Sequence, residues 1–143
     1  MNTNDTTRPI LLVEDNPMDV DLTLRAFKKS KVANPIQVAR NGEEALAFLP
    51  RWLAGEPLPA IILLDLKLPK IHGLDVLRQI KSHPQFAVIP IIVLTSSQED
   101  AEVKTAYQLG ANSYIVKPVN FEKFLEVVSQ IEMYWILLNT PPR

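Results

Sequence analysis

The sequence predicts an α/β domain in which a five-stranded parallel sheet lies between layers of helices. Two observations predict it. Short apolar runs alternate with stretches of helical periodicity along a chain of 143 residues. The central run, Ile61-Ile62-Leu63-Leu64, offers no polar residue to either face, as expected of a strand covered on both sides. Such alternation argues for parallel strands joined by right-handed crossovers, with helices on both faces.

The first strand is Pro9 to Val13, followed by the acids Glu14 and Asp15. Asn16-Pro17 supplies an N-cap and a helix-starting proline, and Asp19 suits the first turn of a helix running to about Ser30. Val20, Leu24 and Phe27, flanked by Leu22 and Ala26, recur at helical spacing. Ile36 to Ala39 alternates as a shorter, less buried strand. Asn41-Gly42 then turns into a helix from Glu43 to about Leu53, kinked or shortened by Pro50. Residues 54–59 read as a loop, and the third strand ends at Asp65. Gly73 permits a tight turn before a helix marked by Leu74, Leu77 and Ile80, which stops near His83-Pro84. Val88 to Leu94 is the fourth strand, ending in Thr95-Ser96-Ser97. Ser97 and Asp100 have capping-box spacing, and Gly110 closes the helix they begin. The fifth strand, Ser113 to Val116, meets Lys117-Pro118. A last helix opens near Asn120 and sets Phe121, Phe124, Leu125, Val128, Ile131 and Trp135 on one face. One domain is expected over residues 9–139, with short tails at 1–8 and 140–143.

Alternation does not by itself dictate strand order. The flavodoxin-like order 2-1-3-4-5, with five helices, makes the first and third strands neighbours at the topological switch point, where open α/β sheets bind ligands. Glu14, Asp15 and Asp65 would then meet, joined by Thr95 and Lys117 from two further strand ends. Alone, each residue has a plainer explanation: Asp65 a cap or turn residue, Lys117 a solvated loop lysine, Thr95 a strand-end hydroxyl. Together they form a chemically sufficient set. Crowded carboxylates repel one another unless a cation neutralises them, and an all-oxygen set suits Mg2+. A carboxylate nucleophile can accept a phosphoryl group as an acyl phosphate, with Lys117 and Thr95 offsetting the charge of its oxygens.

Composition narrows the alternatives. The absence of cysteine excludes disulfides and thiolate chemistry, and a formal net charge of −1 with interspersed signs argues against a nucleic-acid surface. No stretch resembles a signal peptide or a membrane span, so a cytoplasmic protein is expected. His72 and His83, the two histidines, lie at no strand end and receive no site.

These residues resemble the response-regulator receiver domains of two-component signalling, also called chemotaxis-regulator-like domains. The resemblance covers nearly the whole chain. It rests on Leu12-Val13-Glu14-Asp15-Asn16, on Leu64-Asp65 with Pro69 and Gly73, on Leu94-Thr95-Ser96, and on Tyr114 with Lys117-Pro118. It implies that Asp65 is phosphorylated by a histidine kinase. It implies that Asp15, Asp65 and the Lys67 backbone carbonyl bind Mg2+ directly, with Glu14 acting through water. Lys117 would contact the phosphoryl group, the Lys117-Pro118 bond would be cis, and Thr95 and Tyr114 would form a switch pair. New phosphoryl oxygens would draw the Thr95 hydroxyl inward and vacate space for the Tyr114 ring, changing the surface of the fourth helix, fifth strand and fifth helix. Such a protein is a phosphoacceptor rather than an enzyme, its own chemistry limited to autophosphorylation from small donors and autodephosphorylation.

Within the family the sequence is most similar to stand-alone regulators of phytochrome-type bacterial kinases, through Ala39 to Leu46, Asn112-Ser113-Tyr114 and Tyr134-Trp135. Lys67 departs from the Asn expected there, which bears on water access and phosphate lifetime. With no output domain after Arg143, the signal is expected to leave by contact with a downstream protein or by onward phosphotransfer. Val127, Tyr134 and Leu138 form a second apolar line on the last helix and suggest a homodimer; packing within the protomer is the competing explanation. Two other functions remain: a phosphorylation-independent interaction module, and a haloacid-dehalogenase-like phosphatase. The second would place an Asp two residues after the nucleophile, where this chain has Lys67.

Overall fold

The computed structural model describes residues 8–117 and 120–133. Five strands, β1 (Ile10–Val13), β2 (Ile36–Ala39), β3 (Ile61–Leu64), β4 (Ile91–Thr95) and β5 (Ser113–Val116), form one parallel sheet in the order β2-β1-β3-β4-β5. The expected order is therefore the observed one. Every residue of β1, β3 and β4 is buried, whereas the edge strands β2 and β5 are mostly half-buried. Continuous apolar runs mark the interior of the sheet because both of its faces are covered.

The two-residue period sorts side chains between those faces. Ile10, Leu12, Ile61, Leu63, Ile92 and Leu94 point to one side, against Phe27 of α1 (Pro17–Lys29) and Phe124 and Val128 of α6 (Phe121–Ile131). Leu11, Val13, Ile62, Leu64, Ile91 and Val93 point to the other, under α2 (Gly42–Leu46), α3 (Phe48–Leu53), α4 (Gly73–Lys81) and α5 (Asp100–Gln108). Each fully buried large side chain contributes roughly 1.5–3 kcal/mol relative to exposure. The strand ends are thus held rigidly in three layers.

Three boundaries differ from expectation. The second helix is two helices, α2 and α3, joined at Ala47. Pro50 has no N–H to donate to the Leu46 carbonyl, so one continuous helix would lack that bond; in the first turn of α3 the missing donor costs nothing. The fourth strand begins at Ile91 rather than Val88, because Pro90 has no donor for the ladder and contributes only its carbonyl, which accepts from Ile62 N at 2.9 Å. The capping box does not form. Glu99 is the N-cap of α5 without a side-chain bond, and the Ser97 hydroxyl donates instead to the Glu102 carboxylate, a charge-assisted partner.

Other start signals hold. Asn16, Asn41 and Asn120 each cap their helices through the side-chain oxygen, and Gly110 closes α5 at φ +107°. Arg8 is pinned through its guanidinium to the carbonyls of Leu58 and Pro59, at 3.4 and 3.0 Å. The Lys117-Pro118 bond expected to be cis, and Tyr134, Trp135 and Leu138 of the apolar line, lie outside the described residues.

Candidate phosphoacceptor site

Strand pairing assembles the site. Val13 lies opposite Leu64, so the next residues, Glu14 and Asp65, emerge side by side at the carboxyl ends of β1 and β3. Glu14 and Asp65 are buried, Asp15 is exposed, and one carboxylate oxygen of each lies within 4.8 Å of the others. Thr95 ends β4 fully buried, and its hydroxyl faces the Asp65 carboxylate. Lys117 leaves β5 with its N–H donating to Thr95 O at 2.8 Å. From there its side chain reaches back across the sheet, and Nζ donates to Asp65 Oδ2 at 2.9 Å and to Glu14 Oε1 at 2.5 Å. All five strand-end residues singled out in the sequence meet.

A sixth group joins them. Asp19 Oδ2, in the first turn of α1, accepts the third Lys117 proton at 2.8 Å. In the sequence an acid in a first turn is fully explained by the helix dipole, so nothing local distinguishes Asp19. Only the reach of Lys117 across the sheet reveals it.

The loop after β3 is shaped by close approach. A Cβ on Gly73 would lie 2.4 Å from the Asp65 carbonyl oxygen and 2.5 Å from Leu66 Cα, distances no side chain tolerates. Gly73 N donates to Leu66 O at 2.8 Å, fixing α4 against that loop, and Lys67 N donates to Asp65 Oδ1 at 3.1 Å. The Lys67 side chain is exposed. His72 caps α4 through Nδ1, which accepts from Leu74 N at 3.1 Å, while Nε2 meets Glu102 at 3.1 Å. The histidine thus caps α4 and also ties it to α5. Tyr114 is half-buried, and its hydroxyl donates to Ser97 O at 2.9 Å, in the loop that Thr95 begins.

Charge in the site is strongly perturbed. Burial pushes the Glu14 pKa up to about 7, partly offset by the Lys117 hydrogen bond and reinforced by the nearby Asp65 charge. Burial also pushes Asp65 upward, but Lys117, Thr95 and the Lys67 N–H together hold it below the usual carboxylate range. Burial likewise opposes the charge on Lys117, and the hydrogen bonds it donates to Asp19, Glu14 and Asp65 outweigh it, keeping the ammonium ionised. Asp65 is therefore an ionised, hydrogen-bonded carboxylate at pH 7. Three carboxylates meet one ammonium, the exposed Asp15 stands beside Glu14 and Asp65, and every candidate ligand is oxygen. That donor set fits a hard divalent cation and not zinc.

Comparison with known proteins agrees with the geometry. Residues 10–129 match the family model of the response regulator receiver domain. The chain belongs to that family. Receivers of this kind act in two-component signalling, which leaves the phosphatase alternative without support. The probable methanogenesis regulatory protein FilR2 of Methanothrix harundinacea is 41% identical over 134 residues, covering 93% of this receiver and 86% of FilR2. The response regulator Rcp1 of Synechocystis is 38% identical over 135 residues, 93% of this receiver and 92% of Rcp1; its Mn2+-bound crystal form superposes with a TM-score of 0.85 at 37% identity, covering 95% and 99% of the two chains. The phosphorylated cyanobacterial phytochrome response regulator RcpA superposes with a TM-score of 0.88 at 37% identity, covering 96% of this receiver and 99% of RcpA. The receiver's likeness thus extends to regulators of phytochrome-type systems. No described helix is long and apolar enough to cross a membrane.

Proposed function

We propose that this receiver is a phosphorylation switch in which Asp65 takes a phosphoryl group from a phosphohistidine of a sensor kinase, in the cytoplasm. A carboxylate oxygen of Asp65 attacks phosphorus, the P–N bond breaks, and the imidazole departs as an acyl phosphate forms. The observation that supports this best is the Asp65 carboxylate, buried yet ionised, with Lys117 Nζ at 2.9 Å and the Thr95 hydroxyl facing it. Glu14, Asp15, Asp65 and the Lys67 backbone carbonyl would hold Mg2+, which when bound supplies positive charge against the phosphoryl oxygens. Lys117 supplies the rest, and Thr95 donates to a phosphoryl oxygen.

Movement of Thr95 toward that oxygen changes the loop through Ser97, whose carbonyl Tyr114 holds, and so changes the surface of α5, β5 and α6. The likeness to phosphorylated RcpA supports a phytochrome-type kinase as the partner and a downstream protein as the recipient. Incubation with Mg2+ and acetyl phosphate should give phosphate that survives acid and is lost in base. Wild-type protein that fails to label, or Asp65→Asn protein that labels equally, contradicts the proposal.

A homodimer through the end of α6 is the second part of this reading. Val127 is half-buried against the core, and Met133, two residues beyond α6, is 57% exposed. Light scattering on a sizing column should give twice the protomer mass; a monomer with and without acetyl phosphate rejects the dimer.

A further inference from the structure

Lysine carries three ammonium protons, and in this receiver all three are engaged by carboxylates. Lys117 donates to Glu14 Oε1 at 2.5 Å, Asp19 Oδ2 at 2.8 Å and Asp65 Oδ2 at 2.9 Å. The three acceptors are not equivalent. The Glu14 and Asp65 side chains are 4% and 7% exposed, whereas that of Asp19 is 31% exposed. Glu14 and Asp65 belong to the group of oxygens that can close on a cation, and Asp19 does not. Asp19 also stands on a helix, away from the strand ends, and lines a groove with Ser96 and Lys117 itself.

Chemistry at Asp65 changes two of these partners. On the proposed reading Asp65 would exchange its carboxylate for an acyl phosphate, and Glu14 would be among the residues holding a bound cation. Asp19 alone keeps its charge and its place. Its backbone is pinned on both sides: its N–H donates to Asn16 Oδ1 at 3.2 Å, and its carbonyl accepts from the buried Thr23 hydroxyl at 2.7 Å. Lys117 needs such an anchor, because its charge is mounted on a flexible four-carbon stem extended from an edge strand toward the sheet centre. We infer that Asp19 is a positioning residue that holds the Lys117 ammonium over Asp65 throughout phosphoryl transfer, freeing the other two protons to turn to the phosphoryl oxygens. The inference rests on Asp65 being the phosphoacceptor.

An ordinary first-turn acid would need only its charge, so two variants separate the roles. Asp19→Asn retains an acceptor oxygen and loses the charge; Asp19→Ala loses both. Phosphorylation of the full chain is followed at saturating Mg2+ across a range of acetyl phosphate concentrations. Misplacement of a reacting group lowers the maximal rate rather than donor affinity. Asp19→Ala should lower the maximal rate constant about tenfold, with the half-saturating donor concentration within about twofold of wild type, and Asp19→Asn should recover most of the loss. The 15N-ammonium resonance of Lys117, expected to exchange slowly in the wild type because of its three hydrogen bonds, should broaden or vanish in Asp19→Ala without any phosphodonor present. An unchanged or raised maximal rate in Asp19→Ala, a loss in Asp19→Asn as deep as in Asp19→Ala, or an unaltered Lys117 resonance overturns the inference. Failure of the wild type itself to label would instead overturn the phosphoacceptor reading, and the resonance test stands independently of it.

Discussion

At the scale of single residues the site is a balance of desolvation against pairing, and Glu14 and Asp65 fall on opposite sides of it. Both are buried, yet Asp65 collects the Lys117 ammonium, the Thr95 hydroxyl and the Lys67 N–H and stays ionised, while Glu14 is pushed up to about 7. The signs differ accordingly. The folded protein holds the Glu14 proton more tightly than the unfolded chain, so the contribution of this group to stability is full below pH 4.5 and is lost as pH rises through about 7. Asp65 contributes stability that is present above its unfolded pKa of 3.8 and is lost as pH falls through its lower folded value. In EDTA, urea titrations between pH 5 and pH 8 should therefore show a declining component, on the order of 2 kcal/mol. Glu14→Gln should remove it. An identical pH slope in wild type and Glu14→Gln would refute this account of Glu14.

Elements convert these residues into a constellation, and β1, β3 and α4 do most of it. The register that sets Val13 opposite Leu64 makes Glu14 and Asp65 neighbours, and the glycine at the start of α4 lets that helix press on the Asp65 loop. Gly73→Ala puts a methyl group against backbone that has no side chain to swing away. We expect it to cost about 2–3 kcal/mol in urea denaturation and to slow labelling of Asp65 by displacing the loop. A variant of wild-type stability and wild-type labelling would contradict the packing described. Much of this level was legible in the sequence. The buried strands announce themselves by apolar residues on both faces, and the Asn caps by a side-chain oxygen before each helix. What was not legible depends on partners distant in the chain. Pro50 gave notice of a kink but not of where α2 would stop, and Val88 and Ile89 look like strand until Pro90 proves to offer only a carbonyl. Ser97 has the spacing of a cap, yet the carboxylate of Glu102 wins its hydroxyl. Asp19 and the bond from His72 to Glu102 connect elements that no local pattern relates.

The whole molecule brings charge to one end of a rigid sheet. Four of five strands deliver chemistry at their carboxyl ends, and two packed faces hold those ends in place. The family match over residues 10–129 and the superposition on RcpA fit this economy: one scaffold and a small set of strand-end residues. The proposed switch would then need no large rearrangement. Thr95 and Tyr114 already meet on one loop, through the Ser97 N–H directed to the Thr95 hydroxyl at 3.5 Å and the Ser97 carbonyl held by Tyr114 at 2.9 Å. In the proposed switch, a shift of Thr95 toward a phosphoryl oxygen would reach the α5, β5 and α6 surface within that loop.

The central claim is that one carboxylate among the four at this end takes the phosphoryl group. Borohydride reduces an aspartyl phosphate to homoserine and leaves free carboxylates untouched, so it marks the acceptor in the intact protein. After treatment with Mg2+ and acetyl phosphate, then borohydride, peptide sequencing by mass spectrometry should find homoserine at position 65. Homoserine at Asp15 or Asp19, or at no position in fully folded protein, would contradict the account.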